Sequence, residues 1–428
     1  MCYICGVVLG ISLIAIFCIS YKRDKDIFSP LCFFSFYQFI QYVPSLLLAT
    51  EEDNYSGETG KLLLFFAIES AFILSVCFGV LAFRKKGKQS SRPFDKTKVI
   101  PLWVVVLLFS ISVINTLKSI FSAGGFAYVI SNPQAAYRKI VSGSGLSSII
   151  GSLSLVSVLM QIYRISFFLK NNKRKIKVNV FILIGMVAVS MASTLIFSRR
   201  APALEVLLYA LFGFHYLVRR IRIKDFFKPI ILFILVAVAL IIVVMPALRQ
   251  GVNYSFNIKS LFTELNMLDR DAETYSYFKT NDFWLGKSYV GLFTAFIPSV
   301  IFPNKYPVDD GMYLCNILNG YSVTPPVPTS ELPFYSSYPF SSPGALYANF
   351  SIVGVIIGGF VLGCIYSRVY YKLNTKKNYF YVLFYVLIIY QFEMTSLGIV
   401  QALIPLVVAF VVYKLFSRKG YTPRYVTR

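Results

Sequence analysis

Residues 3–20 read YICGVVLGISLIAIFCIS, a run of apolar and small residues without a charged side chain. A hydrocarbon core of about 30 Å is crossed by roughly 20 residues of α-helix, so this run predicts a membrane-spanning helix. Such runs recur along the 428-residue chain, of which 57% is hydrophobic, and only a helix satisfies its own backbone groups in lipid. The sequence therefore predicts an all-α polytopic membrane protein. We expect about eleven spans, at 3–20, 27–49, 62–83, 99–120, 146–169, 179–197, 202–218, 229–248, 346–366, 379–398 and 400–416.

Basic residues are distributed unevenly between the two sides of these spans. The side that includes the C-terminal tail holds 29 of the 42 Lys and Arg with four acids, whereas the opposite side holds twelve basic and twelve acidic residues. Basic loops stay in the cytoplasm, so we expect the N-terminus outside and the C-terminus inside. The net charge of +23 then reflects topology and does not indicate nucleic-acid binding. Without a basic segment before it, the first run is expected to be a retained helix and not a cleaved signal peptide.

The predicted organisation has three parts. Residues 1–248 hold spans one to eight, residues 249–345 form one large external loop, and residues 346–428 hold the last three spans and the tail. Within the loop, Leu261, Leu265 and Leu268 have helical spacing, which predicts an amphipathic helix along the outer surface.

Several chemistries are disfavoured. Of seven cysteines only Cys315 lies in the large loop, so neither a disulfide framework nor a zinc site is expected there. The single histidine, His215, lies near the cytoplasmic end of the seventh span, away from any external histidine-based site. Because the chain has no phosphate-binding glycine motif in a suitable context, we expect neither ATP nor a dinucleotide. No other cofactor is expected.

Four external arginines are notable for their positions. Arg199 and Arg200 lie in a short turn, SRRAP, Arg249 ends the eighth span, and Arg138 lies in a Gly-rich loop. Guanidinium groups bind phosphate oxygens in pairs and stay charged when partly desolvated, so these residues are candidates to bind a lipid diphosphate. The alternative is that they contact phospholipid headgroups.

Three acids lie in the outer halves of predicted spans: Glu69, Glu205 and Glu393. A carboxylate at that depth usually faces the bundle interior or a wet cavity, so an outward-facing polar cavity is predicted. For Glu205 a structural ion pair with Arg200 is the alternative.

The loop also carries acids. Asp271 and Glu273 are candidates for a general base, and Arg270 between Asp269 and Asp271 completes a DRD triplet that looks like the metal-binding triplet of nucleotide-sugar transferases. A solvated helix face is the favoured interpretation of that triplet.

Further along, residues 323–343 read VTPPVPTSELPFYSSYPFSSP. The segment predicts a stiff extended cover whose aromatic residues, Tyr335 and Tyr338 among them, stack on sugar rings. An interfacial aromatic lid without a ligand is the alternative.

Three segments resemble the O-antigen and oligosaccharide repeat-unit polymerases of bacterial envelopes (the Wzy type). They are SRRAPAL at 198–204, IPSVIFPNKYP at 297–307 and GALYANFSIVGVIIGGFVLG at 344–363, in that order. The resemblance in topology covers nearly the whole chain and adds Lys305, which lies within the second segment, to the candidate substrate-binding residues.

The resemblance implies a fold similar to the membrane-embedded C-type glycosyltransferases and a metal-independent polymerase in the cytoplasmic (inner) membrane with a periplasmic active site. It would transfer a glycan from undecaprenyl diphosphate to a second lipid-linked repeat unit, alongside a chain-length regulator and a flippase of the same pathway. Arg199, Arg200, Arg249 and Arg270 would stabilise the departing diphosphate. The remaining hypotheses are a polysaccharide ligase, which is expected to have an external histidine, and a lipid-linked oligosaccharide flippase, which is expected to have short loops.

Overall fold

In the computed structural model all regular secondary structure of the described residues is helical. The structure describes residues 1–49, 58–84, 100–133, 135–136, 145–171, 176–197, 200–223, 225, 267–297, 301–338, 340–376 and 378–416. Among these residues, seven helices are long and apolar enough to cross a membrane, which agrees with a membrane-embedded protein. The principal helices are α1 (Cys2–Asp24), α2 (Pro30–Leu47), α3 (Thr59–Ala82), α4 (Leu102–Ala123), α5 (Gly125–Ser131), α6 (Gly145–Asn171), α7 (Ile176–Leu195), α8 (Arg200–Gly213), α9 (Leu268–Thr280), α10 (Val290–Thr294), α11 (Gly311–Leu318), α12 (Ser342–Lys376), α13 (Tyr379–Val386) and α14 (Ser396–Phe416).

The predicted helical class is confirmed, whereas the count of eleven spans is not. The seven long apolar helices are α1, α3, α4, most of α6, α7, α12 and α14. Helix α2 forms as expected but is not among the seven, and the predicted spans at 202–218 and 379–398 are represented by shorter apolar helices. The predicted span at 229–248 lies outside the described residues.

The chain divides into two compact units, which we call unit 1 and unit 2. Unit 1 comprises Met1–Lys86, Asn257–Tyr371 and Ile388–Ala402, and unit 2 comprises Gly87–Phe256, Lys372–Leu387 and Leu403–Arg428. Unit 1 thus combines the first three helices with most of the long loop (249–345), from residue 257 onward.

In unit 1 the loop packs onto α2 and α3 through helix α9. Its buried residues Leu268, Asp271, Tyr275 and Phe278 recur every three or four positions and therefore share one face of the helix. Trp284, which follows α9, is buried among aromatic rings of the loop. This part of the loop is a folded layer with its own core.

Helix α12 is broken near its start. Phe350 and Ser351 have non-helical dihedral angles, and Ser351 has a φ of 59°, in the left-handed region that only a few per cent of non-glycine residues adopt. Residues 342–349 therefore form a separate helical segment that belongs with the loop, and the longer apolar segment follows the break.

Glycines bring the backbones of α3 and α12 together in unit 1. A Cβ atom on Gly363 would lie 2.2 Å from the carbonyl oxygen of Val76, and one on Gly79 would lie 2.2 Å from the carbonyl oxygen of Phe360. Side chains larger than hydrogen do not fit, so the two helices pack as the small-residue interfaces of membrane helices do.

In unit 2, α6 packs against α4, α7 and α8. Its buried polar residues bond to backbone groups: Gln161 Nε2 donates to the carbonyl of Asn179 (2.9 Å), Ser166 Oγ to that of Leu217 (2.5 Å) and Arg164 to that of Ile100. His215 accepts a hydrogen bond from the backbone N–H of Ile221, at 3.0 Å. These bonds tie helices and turns to one another.

Candidate functional site

The candidate site is built around the carboxylate of Asp271, which is 2% exposed on the inner face of α9. The hydroxyl of Tyr42 in α2 donates to Oδ2 at 2.7 Å, and the hydroxyl of Ser341 donates to Oδ1 at 2.5 Å. Two hydroxyl donors thus hold this carboxylate in place inside the protein.

The chain just before α12 is shaped to present Ser341. Ser341 Oγ accepts a hydrogen bond from the backbone N–H of Gly344 at 2.9 Å, the pattern of a helix N-cap. A Cβ atom on Gly344 would lie 2.7 Å from Asp271 Oδ1, so glycine at this position leaves room for the carboxylate.

A second buried acid, Glu69 in α3, lies beside the first. The hydroxyl of Tyr275, one turn along α9 from Asp271, donates to Glu69 Oε1 at 2.6 Å. Glu69 Oε2 is buried without a hydrogen-bond partner among the described residues. The charges of Glu69 and Asp271 act on one another, so α9 brings two carboxylates into one electrostatic cluster.

A small, partly open cavity lies against this cluster. Tyr42 and Ser341, the two donors to Asp271, belong to its wall together with Gln38, Gln41 and Glu393. The remaining lining residues are mostly aromatic: Phe34, Tyr37, Phe72, Ser342, Pro343, Leu362, Tyr366, Ile389, Tyr390 and Phe392. No Lys, Arg or His belongs to this wall in the part of the chain that the structure describes. The Oε1 atom of Gln38 is buried without a partner there, and an unsatisfied acceptor of this kind suits a ligand hydroxyl.

Glu393 lies in a short non-helical turn between α13 and α14 that is fixed at several points. The backbone N–H of Met394 donates to Ser342 Oγ (3.0 Å), and the Tyr289 hydroxyl donates to the carbonyl of Met394 (2.7 Å). At the start of α14, the backbone N–H of Ser396 donates to Asp310 Oδ2 at 2.9 Å. Glu393 is half-buried on the cavity wall, and the charge of Asp271 acts on it.

Burial raises the pKa of Asp271 to about 7, and the hydrogen bonds from Ser341 and Tyr42 and the charge of Arg270 oppose part of that rise. Burial likewise raises the pKa of Asp310 to about 7, against the hydrogen bonds from Ser396. A carboxyl with a pKa near neutrality exchanges its proton readily under physiological conditions. The cluster is therefore suited to proton transfer.

Arg270 flanks the cluster on the side of the loop. Its guanidinium lies over the ring of Tyr338, 5.9 Å from the centroid. Desolvation lowers the pKa of Arg270, and the charges of Asp271 and Asp269 act in the opposite direction. Of the predicted arginines, this is the one whose side chain the structure describes.

The structure corrects the interpretation of the DRD triplet as a solvated face. Asp269 is exposed, but Asp271 is buried because α9 turns this position towards α2. Glu273, the other predicted base, forms an ion pair with Lys61 at 2.6 Å. Glu273 does not belong to the described cavity wall.

Other predicted residues are dispersed. Tyr335 is 77% exposed, and Lys305 contacts Thr329 through its backbone carbonyl. Arg138, Arg199 and Arg249, with Leu261 and Leu265, lie outside the described residues. The backbone of Arg200 begins α8, but its side chain is not described, so its pairing with Glu205 stays a prediction.

Sequence reasoning missed Asp310 and the polar residues of α2. Gln38, Gln41 and Tyr42 recur at helical spacing within an apolar run, which is the signature of a helix face turned to a polar interior. For Asp310 we find no such signal, because it adjoins Asp309 in a polar loop.

Comparison of the chain with protein-family models, curated proteins and solved structures gave no match.

Proposed function

We propose that the chain is a membrane-embedded glycosyltransferase that polymerises oligosaccharide repeat units linked to a lipid diphosphate, undecaprenyl diphosphate in bacteria. The observation that carries this proposal is the cavity wall, where Glu393 stands among amide, hydroxyl and aromatic groups next to the buried Asp271. Aromatic faces and hydrogen-bonding side chains are the usual means of holding a sugar ring, and a nearby carboxylate is the usual means of accepting a hydroxyl proton.

In the proposed reaction a hydroxyl oxygen of the acceptor glycan attacks the anomeric carbon of the donor. Its proton passes to the Glu393 carboxylate, and the bond between the anomeric carbon and the diphosphate oxygen breaks, with its electron pair leaving on the diphosphate. Asp271 is a positioning residue in this scheme, because both of its oxygens already accept hydrogen bonds from hydroxyls of the cavity wall.

The diphosphate is assigned to arginines. Arg270 lies beside the cluster, and Arg199, Arg200 and Arg249 keep the same proposed role from the sequence. A carboxylate wall without described Lys or Arg repels phosphate, so we assign the cavity to an uncharged part of the acceptor glycan.

We propose metal-independent transfer. The oxygens of Asp271 are engaged by Tyr42 and Ser341, and the adjacent Arg270 would repel a divalent cation.

A reconstitution assay tests the proposal. Protein in phospholipid vesicles is given lipid-diphosphate repeat units extracted from a strain deleted for the gene, with excess EDTA and no nucleotide. We expect a ladder of lengthened glycans. Loss of the ladder in EDTA with recovery in magnesium would overturn the metal-independent mechanism. In a parallel reaction that also contains lipid A core, transfer to that core without a ladder under either condition would indicate a ligase.

A lipid-linked oligosaccharide transporter is the second candidate, and the helix break at Phe350–Ser351 favours it. Transporters place substrate sites at discontinuous helices, and the Glu393 turn is a second discontinuity in unit 1. Vesicles loaded with fluorescent lipid-linked oligosaccharide distinguish the two candidates. Protein-dependent movement of the label across the bilayer, without any lengthening of the glycan, would favour the transporter.

A further inference from the structure

The segment 285–297 of the long loop, together with Ile301, exposes a series of large apolar side chains. Phe293 is 79% exposed, as much as the lipid-facing residues of long apolar helices such as Phe181 at 78%. A water-soluble loop seldom leaves so many large apolar groups in contact with solvent. The exposed apolar residues of the segment are Leu285, Phe293, Phe296, Ile297 and Ile301.

This segment adjoins the break in α12. The backbone N–H of Leu285 donates to the carbonyl of Asn349 at 2.9 Å, and the ring of Tyr289 stacks on that of Phe350 with centroids 6.3 Å apart. From Phe350 onward, α12 exposes Phe350, Val353 and Ile357 at helical spacing. The apolar face of the loop segment therefore continues the exposed apolar stripe of a helix long enough to cross the membrane.

The backbone of the segment decides its depth. Its described residues contain only a short 3₁₀ turn, Lys287–Tyr289, and the five-residue α10, so several of their backbone groups lack regular helical partners. Irregular backbone exposed to lipid is too costly in the hydrocarbon core and is tolerated at the headgroup boundary. The exposed side chain of Lys287 suits that boundary as well.

We propose that residues 285–297 and Ile301 lie in the interfacial layer of the bilayer, with Phe293, Phe296 and Ile301 directed into the acyl boundary. Since Tyr289 bonds to the carbonyl of Met394, the same segment holds the Glu393 turn at headgroup depth. A lipid diphosphate lies at that depth. This last consequence rests on the proposed function, whereas the membrane contact does not.

Spin-label accessibility tests the depth directly. Single cysteines are introduced as F293C and F296C in a C18S parent, because Cys18 is the exposed native cysteine among the described residues. Y335C serves as the matched control, since Tyr335 is 77% exposed in the same loop but lies outside the segment 285–297 and is not among the apolar residues that adjoin the break in α12. Each protein is labelled with a nitroxide and placed in nanodiscs of phosphatidylethanolamine and phosphatidylglycerol, and the spectrum of the labelled parent is subtracted.

We expect labels at 293 and 296 to collide mainly with oxygen, at a depth of about 5–10 Å below the headgroup boundary, and the label at 335 to collide mainly with a water-soluble nickel chelate. Labels at 293 and 296 that are as accessible to nickel as the label at 335 would overturn the proposal. The measurement needs no enzymatic activity, so failure of the proposed function leaves its outcome unchanged.

Discussion

Unit 1 and unit 2 both bury polar side chains, and the partners of the carboxylates around Asp271 in unit 1 differ from those of Gln161 and Ser166 in unit 2. In unit 1, Asp271 and Glu69 accept hydrogen bonds from the hydroxyls of Tyr42, Ser341 and Tyr275. In the described part of unit 2, Gln161 and Ser166 donate to backbone carbonyls. A side chain bonded to a backbone carbonyl fastens one element to another, whereas a carboxylate held by hydroxyls can still change its protonation state.

The two kinds of buried polar group are expected to respond differently to substitution. Substitutions in the unit 1 cluster are expected to change activity or its dependence on pH, and substitutions in unit 2 are expected to change stability.

The largest expected effect is on turnover in E393Q. If Glu393 accepts the proton of the acceptor hydroxyl, its amide should lower the rate of glycan lengthening by about 10²–10⁴-fold. The thermal unfolding midpoint should change little, because the change from carboxylate to amide keeps the shape of the side chain. E331Q, at an exposed acid of the long loop, is the control and should retain full activity. Near-normal rates of glycan lengthening in E393Q would show that Glu393 is not the group that accepts the proton.

The second prediction concerns pH and Asp271. Burial raises the pKa of Asp271 from 3.8 to about 7 in the folded protein. Between these values the folded state binds more protons than the unfolded state, so stability falls as the pH rises through this window. We expect wild type to unfold at a lower temperature at pH 8 than at pH 5. In D271N this difference should shrink by an amount equivalent to up to a few kcal/mol.

Differential scanning fluorimetry in detergent at the two pH values measures this difference. D269N, at the exposed acid of the same helix, is the matched control and should keep the wild-type pH dependence. An unchanged pH dependence in D271N would show that the carboxylate of Asp271 is not the group that titrates.

The third prediction addresses unit 2. Q161L removes the hydrogen bonds from Gln161 to Asn179 and should destabilise the protein by about 1–3 kcal/mol. Activity per folded molecule should stay at the wild-type level. Stability is read from the unfolding midpoint and activity from glycan lengthening normalised to folded protein. A loss of specific activity in Q161L as large as in E393Q would contradict the assignment of activity to unit 1 and of stability alone to unit 2.

The smallest effect is expected for E273Q. Its ion pair with Lys61 is partly exposed, so its loss should cost about 0.5–1 kcal/mol. Activity should remain within about twofold of wild type, because Glu273 is engaged by Lys61. The same lengthening assay measures it, with K61Q as the matched variant. A severe loss in E273Q alone, with K61Q active, would make Glu273 the base in place of Glu393.

The sequence predicted the acids of the site better than their surroundings. Glu69 and Glu393 could be identified because placing a carboxylate within an apolar run costs free energy. Such residues therefore usually mark a functional site. The hydroxyl donors could not, since Ser341 reaches Asp271 only through the folding of the long loop, and nothing local to serine indicates such a contact.

The fold shows a similar limit. Apolar runs predicted the long helices, because hydropathy reports the free energy of transfer into lipid. The break at Phe350–Ser351 lies within such a run and leaves its hydropathy unchanged. The exposure of the apolar residues in 285–297 was also missed, because that run is too short to resemble a span.

The contact between α3 and α12 also constrains how the protein is made. Gly79 and Gly363 meet through their backbones, yet most of the chain separates them in sequence. At a synthesis rate of about 5–20 residues per second, α12 is completed on the order of tens of seconds after α3. During that interval Glu69 also lacks Tyr275, which is made later. The first three helices must therefore persist as a partly assembled intermediate until the last third of the chain arrives.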